Sequence, residues 1–235
     1  MTQNHREDKF TAGRPWLTVS ILLTAMLVFF TNEKPPLPLN SEAVRYLIET
    51  GNASFQQILT IALGFLVYPF QHNSDVHLTE NLFAFAFIGT YVETVIGSKR
   101  FAAFFLITTL SAALLFCLTT DGGATGLSGA NFGLWAVLLL GVPRTEIISI
   151  SLPIAKGKTV ALTLRLYVLV ACIFANQLWL YMQLVSQANP PHTAFLLHLG
   201  STLCGIILYF LWLAPQFELF CRSPLGLRVM GKSPK

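Results

Sequence analysis

The sequence predicts an all-α membrane protein with six transmembrane helices, both termini in the cytoplasm and a long external loop between the first two helices. Hydrophobic residues make up 54% of the 235-residue chain and charged residues only 11%, whereas a soluble domain carries roughly 25% charged residues. The Lys and Arg residues cluster between apolar runs, which is a signal of membrane topology. They do not form one basic patch, so the net charge of +4 does not indicate a nucleic-acid partner.

The apolar runs predict spans over residues 16–31, 77–96, 101–119, 128–142, 162–184 and 194–213. In this arrangement all but two of the 15 Lys and Arg residues lie on the cytoplasmic side, the exceptions being Lys34 and Arg45. This positive-inside bias supports the count of six spans. We therefore expect a multi-pass protein of the cell membrane with a cytoplasmic N-terminal tail (1–15), a membrane domain (16–213) and a basic cytoplasmic C-terminal tail (214–235).

The predicted external loop covers residues 32–76 and contains one apolar segment. The first part of the loop contains Pro35, Pro36 and Pro38, which rule out a membrane helix there. Its apolar segment, residues 55–70, is shorter than the roughly 20 residues that cross a bilayer. We interpret this segment as re-entrant or interfacial, because a seventh span would reverse the sidedness of every later loop.

A candidate nucleophile lies where a polar, glycine-rich loop meets the fourth span. The stretch is Gly126-Leu127-Ser128-Gly129. A serine flanked by glycines at the start of a membrane helix has an uncrowded backbone and an accessible hydroxyl. Such a hydroxyl needs a base within hydrogen-bond reach to act as a nucleophile.

Candidate partners for Ser128 lie on two other spans. His77 and Asn81 are four residues apart and share one helix face at the external start of the second span. His198 lies in the apolar sixth span, where ionisable residues are costly and often functional. Small residues downstream, Ser201 and Gly205, would allow another helix to approach closely. The alternatives are that His77 and Asn81 cap or solvate their helix, and that His198 only bonds a neighbouring helix.

In the order and depth of these residues the chain resembles the rhomboid family of intramembrane serine proteases. The resemblance extends through all six spans. It rests on four sets of residues in order: His72, His77 and Asn81; Gly89, Glu93 and Gly97; Gly126 to Gly129; and His198 with Gly205.

The resemblance implies a six-helix rhomboid-like bundle and a serine endopeptidase that cleaves transmembrane protein substrates in or beside their membrane segments. It implies a catalytic dyad of Ser128 and His198 without an acidic residue, cofactor or metal ion. His77 and Asn81, with the backbone amide of Ser128, would stabilise the oxyanion. The residues implied to support the site are His72, Gly126, Gly129, Phe132 and Gly205.

Several positions depart from the family pattern. Phe132 stands where the family often has a tyrosine that packs on the catalytic histidine; the aromatic face is kept and the hydroxyl is lost, so we expect activity to survive. Ser201 replaces a common glycine. The Trp-Arg pair common in the first external loop is absent, with Leu63 and Gly64 near that place. We expect Glu93, in the inner half of the second span, to be structural.

Two other functions compete with proteolysis. One is a catalytically inactive rhomboid-like protein that binds membrane clients, although both Ser128 and His198 are present. The other is a small transporter or metal-binding membrane protein whose path His72, His77 and His198 would line. No intramembrane carboxylate pairs with these histidines in the sequence, which disfavours the transporter.

Overall fold

The computed structural model describes residues 12–31, 39–141, 147–154, 158–185 and 195–229, and these residues form a mainly helical protein. The helices are α1 (Trp16–Thr31), α2 (Ser41–Thr50), α3 (Phe55–Val67), α4 (Asp75–Ile96), α5 (Ser98–Thr119), α6 (Ser128–Gly141), α7 (Leu166–Val185), α8 (Phe195–Leu208), α9 (Ala214–Arg222) and α10 (Pro224–Val229). A 3₁₀ turn (Tyr68–Phe70) follows α3, and a π-helical stretch (Tyr209–Leu213) joins α8 to α9. Strand β1 (Leu39–Asn40) pairs antiparallel with β2 (Gly123–Ala124), and β3 (Ile147–Ile154) pairs antiparallel with β4 (Lys158–Arg165).

The helices agree with a membrane protein by length and composition. Among the described residues, Ser98–Thr119 and the continuous helical stretch Phe195–Arg222 are long and apolar enough to cross a bilayer. The apolar helices Trp16–Thr31, Phe55–Phe70 and Ser128–Gly141 are shorter. Their outward faces carry large apolar side chains, including Phe30, which is 78% exposed. The six-span count, the sidedness of the termini and the interfacial position of Phe55–Phe70 remain predictions.

Two segments differ from the sequence-based boundaries. Helix α7 begins at Leu166 rather than at 162, because residues 158–165 pair with residues 147–154 as a hairpin. The predicted C-terminal tail contains α9 and α10. Phe217 and Phe220 of α9 are almost completely buried, so the beginning of this segment joins the core. The predicted N-terminal tail up to residue 11, the prolines of residues 35–38 and the end of the chain from residue 230 lie outside the described residues.

A buried carboxylate joins α4 to the start of α1. The side chain of Glu93 is fully buried and accepts hydrogen bonds from the backbone N–H groups of Leu17 and Thr18, at 3.0 and 2.7 Å. The hydroxyls of Thr18 and Ser98 donate to the same carboxylate at 2.7 and 2.6 Å. A negative charge is favourable at the N-terminus of a helix, whose first N–H groups have no partners within the helix. The structural role predicted for Glu93 is confirmed.

Helices α6 and α8 approach each other through glycine. A Cβ atom placed on Gly205 would lie 2.5 Å from the carbonyl oxygen of Gly133 and 3.0 Å from its Cα atom. A Cβ atom on Gly133 would lie 3.3 Å from the carbonyl oxygen of Ser201. These are backbone atoms, which cannot move without displacing a helix. The close approach predicted from Ser201 and Gly205 is therefore confirmed.

Arg45 attaches the loop segment after α1 to the end of α5. Its guanidinium donates to the carbonyl oxygens of Cys117 and Thr120, at 3.2 and 3.0 Å, and forms an ion pair with Asp121. A cation is favourable at the C-terminus of a helix, where the last carbonyl groups lack partners within the helix. This arginine therefore anchors the predicted external loop to the end of α5.

The packing of α6 on α8 predicts that two glycine variants on α8 differ clearly in their free energy of unfolding. We expect Gly205→Ala to lower the free energy of unfolding by about 1–3 kcal/mol, because the added methyl group meets backbone atoms and over-packs the helix contact. The matched control is Gly200→Ala, whose methyl group meets the flexible Cδ2 end of Leu115. Thermal unfolding in detergent measures both. Equal melting temperatures for the two variants would contradict the packing argument.

Candidate active site

The loop before α6 presents Ser128 at the first position of that helix. The backbone N–H of Gly126 donates to the carbonyl oxygen of Tyr68 at 2.9 Å, which attaches this loop to the 3₁₀ turn after α3. Gly126 has a φ of 104°, in the left-handed region that favours glycine. Leu127, the next residue, is fully buried and anchors the loop in the core. The partly exposed Ser128 follows directly on this fixed backbone.

His77 packs against the same loop. A Cβ atom on Gly126 would lie 2.8 Å from Cε1 and 2.9 Å from Nε2 of the His77 ring. The ring therefore occupies the space that the missing side chain of Gly126 leaves. Ser74 caps α4 by accepting the backbone N–H of His77 at 3.2 Å, which fixes the start of this helix. Two predicted site residues, His77 and Gly126, are thus in contact.

His198 stacks on Phe132. The ring centroids are 4.2 Å apart and the planes differ by 15°. Phe174 of α7 meets the ring of Phe132 edge-on at 5.4 Å, so Phe132 is held between two helices. The aromatic face expected at Phe132 therefore packs on His198 without a hydroxyl, and survival of activity stays a prediction.

Gly129 allows α8 to approach the first turn of α6. A Cβ atom at Gly129 would lie 2.9 Å from Cδ2 of Leu197 and 3.3 Å from Oγ of Ser201. Leu197 precedes His198 on α8. Together with the contact between Gly133 and Gly205, this keeps the helix that carries His198 close to the helix that carries Ser128.

Five of the predicted site residues line one cavity of about 690 Å³. Ser128 and Phe132 come from α6, His77 and Asn81 from α4, and His198 from α8. Polar residues that the sequence analysis did not select also line the cavity, namely Asn73, Glu80, Thr125, Asn131 and Asn176. Asn176 brings α7 to the cavity wall. The cavity thus brings together two hydroxyls, two imidazoles, one carboxyl group and several amides in largely apolar surroundings.

Asn81 is held by two hydrogen bonds to neighbouring groups. Its Nδ2 donates to the carbonyl oxygen of His77 at 2.9 Å. Its Oδ1 accepts a bond of 3.0 Å from Nδ2 of Asn131. Asn131 is not among the residues predicted from the sequence, although a lone amide three residues after Ser128 in an apolar helix is a usable signal.

His72 lies behind the loop that presents Ser128. Its Nε2 accepts the backbone N–H of Leu127 over 3.4 Å, and its ring meets that of His77 edge-on at 5.1 Å. Burial lowers the pKa of His72 to about 4, and the neighbouring His77 lowers it as well. The ring is therefore neutral near pH 7, which leaves a nitrogen able to accept a hydrogen bond. This agrees with the supporting position predicted for His72.

Comparison with known proteins assigns the part of the chain that forms this cavity to one family. A family model described as "Rhomboid domain" matches residues 60–215, which include every predicted site residue. The chain is also 30% identical over 150 residues to "RHOMBOID-like protein 5" of Arabidopsis thaliana. That similarity covers 62% of this chain and 43% of the plant protein, so the chain spans less than half the length of this relative.

The lowered pKa of His72 predicts a specific acid sensitivity. An unfolded chain takes up the proton near pH 6.5 and the folded protein only near pH 4. The stabilising contribution of the neutral ring is therefore complete above pH 6.5 and is lost as the pH falls towards 4. We expect a loss on the order of 3 kcal/mol at most, since one pKa unit corresponds to about 1.4 kcal/mol.

The measurement is the thermal midpoint of the wild type and of His72→Gln between about pH 7.5 and pH 4. Glutamine is polar and does not titrate, so the midpoint of the wild type should fall further on acidification than that of the variant. Parallel curves would show that His72 does not titrate in this way, because other groups contribute equally to both proteins.

Proposed function

Because the chain belongs to the rhomboid family, we propose that it is an intramembrane serine protease that hydrolyses peptide bonds in or beside transmembrane segments of other membrane proteins. The observation that carries the proposal is the shared cavity. It is lined by Ser128, His198, His77 and Asn81, which are the proposed nucleophile, the proposed base and the two proposed oxyanion donors.

The proposed chemistry needs a serine and one base. The Oγ of Ser128 attacks the scissile carbonyl carbon while the imidazole of His198 takes the hydroxyl proton. When the tetrahedral intermediate collapses, the bond to nitrogen breaks and His198 gives that proton to the leaving amine. Water then attacks the acyl-serine ester with His198 again as base, releasing the new carboxylate and restoring Ser128. The stack on Phe132 supports this role by limiting rotation of the imidazole.

The oxyanion would be stabilised by donors from two helices. Its negative charge develops on the former carbonyl oxygen, and we propose that His77, Asn81 and the backbone N–H of Ser128 donate to it. The backbone N–H lies at the N-terminus of α6, where the helix dipole also favours negative charge. The contact of His77 with Gly126 supports this assignment, because it holds the imidazole beside the loop that ends at Ser128.

Substrate access follows from the predicted topology. With six spans and both termini in the cytoplasm, the cavity opens towards the external side of the cell membrane, where water is available for hydrolysis. A substrate must present an extended backbone there. Transmembrane segments that contain glycine or other small residues near the cleavage site unwind most readily and are the proposed substrates.

The first test is cleavage of a model transmembrane substrate by purified protein in liposomes. We expect Ser128→Ala and His198→Ala each to lower kcat by at least about 10³-fold, since each removes a group that the bond-forming step requires. The control is Ser20→Ala on α1, whose exposed hydroxyl only donates to the carbonyl oxygen of Trp16. A metal chelator should leave the rate unchanged.

The same test decides between proteolysis and client binding. A wild type that cleaves none of several transmembrane substrates, or a Ser128→Ala variant that remains active, would contradict the protease proposal. Binding of intact substrates without cleavage would then favour the inactive, client-binding member of the family. Loss of activity with the chelator would favour a metal-dependent protein.

A second prediction concerns the oxyanion donors. We expect Asn81→Ala and His77→Ala each to lower kcat by ~10² to 10³-fold, because a donor that acts on the transition state contributes about this much. KM should change little, since the oxyanion is absent from the bound substrate. A rise in KM at unchanged kcat would instead assign these side chains to substrate binding.

A further inference from the structure

We propose that Asn131 is a positioning residue that orients the side-chain amide of Asn81 for catalysis. The inference rests on the proposed protease function and adds a residue to its site. Asn131 lies three residues after Ser128 on α6, one helical turn along the same face. Its side chain is 4% exposed and lines the cavity.

Two backbone carbonyl groups determine how both amides are oriented. Nδ2 of Asn131 lies 3.2 Å from the carbonyl oxygen of Asn81, which can only accept a hydrogen bond. The atom of Asn131 at this position must therefore be the nitrogen. The same nitrogen lies 3.0 Å from the side chain of Asn81, so the Asn81 atom facing it must be the acceptor Oδ1.

The other end of the Asn81 amide is consistent with this orientation. Its Nδ2 lies 2.9 Å from the carbonyl oxygen of His77, again an atom that can only accept. An amide nitrogen carries two hydrogens, and this bond uses one of them. The second hydrogen is the one that Asn81 would donate to an oxyanion in the cavity.

Asn131 stabilises this orientation of the Asn81 amide against the flipped one, in which the amide nitrogen and oxygen exchange places. If the Asn81 amide turned by 180°, its nitrogen would face the nitrogen of Asn131, and its oxygen would face the carbonyl oxygen of His77. Both contacts would then be repulsive. Without Asn131, the contact with His77 is the one described hydrogen bond of the Asn81 side chain that resists the rotation, so the oxyanion donor is less well fixed. Since Asn131 and Ser128 both lie on α6, Asn131 also fixes the position of the Asn81 amide relative to Ser128.

The test is a double-mutant cycle between Asn131→Leu and Asn81→Ala, with kcat and KM measured for all four proteins in the same cleavage assay. In the wild-type background we expect Asn131→Leu to lower kcat at least about ten-fold, up to the effect of losing one oxyanion donor. KM should remain within about two-fold. In the Asn81→Ala background the same substitution should change kcat less than about two-fold, because the side chain it orients is gone.

Two further variants separate positioning from packing. Asn131→Ala adds no atoms and repeats the cycle without steric strain. Thr108→Val is the control, since it removes a fully buried hydroxyl that donates to the carbonyl oxygen of Phe104 within α5 and does not line the cavity. It should keep kcat within about two-fold of the wild type.

The outcomes are distinguishable. An inactive wild type would overturn the proposed function itself. An active wild type with impaired Asn81→Ala and unimpaired Asn131→Leu would overturn only the positioning role. Equal kcat losses from Asn131→Leu in both backgrounds would also overturn it. So would activity losses in both Asn131 variants that accompany loss of a cooperative thermal transition, since the residue would then be purely structural.

Discussion

The close approach of α6 and α8 is the constraint on which the site depends. Backbone atoms of Gly133 occupy the space in which a side chain at position 205 would lie, and a Cβ atom on Gly133 would lie 3.3 Å from the carbonyl oxygen of Ser201. Phe132, next to Gly133, can therefore stack on His198 across the contact. Because protein interiors are close-packed and transmit small displacements, a wider spacing of these helices would separate the two rings. Two residues without reactive groups thus determine the distance between the groups proposed to react.

The polar groups around this contact hold one another in fixed orientations. Leu127 donates to His72 and Gly126 donates to Tyr68, so the backbone leading to the nucleophile is held at consecutive positions. Asn131 holds Asn81 on the facing helix. Hydrogen bonds of this kind are strong in apolar surroundings. A site built from them needs little rearrangement when charge develops, which is the condition for effective electrostatic catalysis.

The sequence predicted the contacts that spacing encodes and missed those that depend on the partner. His77 with Asn81, and Ser201 with Gly205, share helix faces through their four-residue spacing, so their direction could be inferred. The hydrogen-bond partners of Arg45 and Asn131 could not be assigned in this way. The carbonyl oxygens that accept hydrogen bonds from Arg45 belong to the end of α5, and the backbone acceptor of Asn131 lies 50 residues away in the sequence. Only the tertiary structure brings these donors to their acceptors.

The attachment of the segment after α1 has a consequence for biogenesis. Ser41 bonds the carbonyl oxygen of Gly122, 81 residues later, and Arg45 pairs with Asp121 across 76 residues. At a translation rate of about 5–20 residues per second, these donors wait roughly 4–16 s for their partners. During that interval the segment after α1 cannot adopt its final attachment. The loop that leads to Ser128 is therefore completed only after α5 has been synthesised, and α8, which carries His198, is made later still.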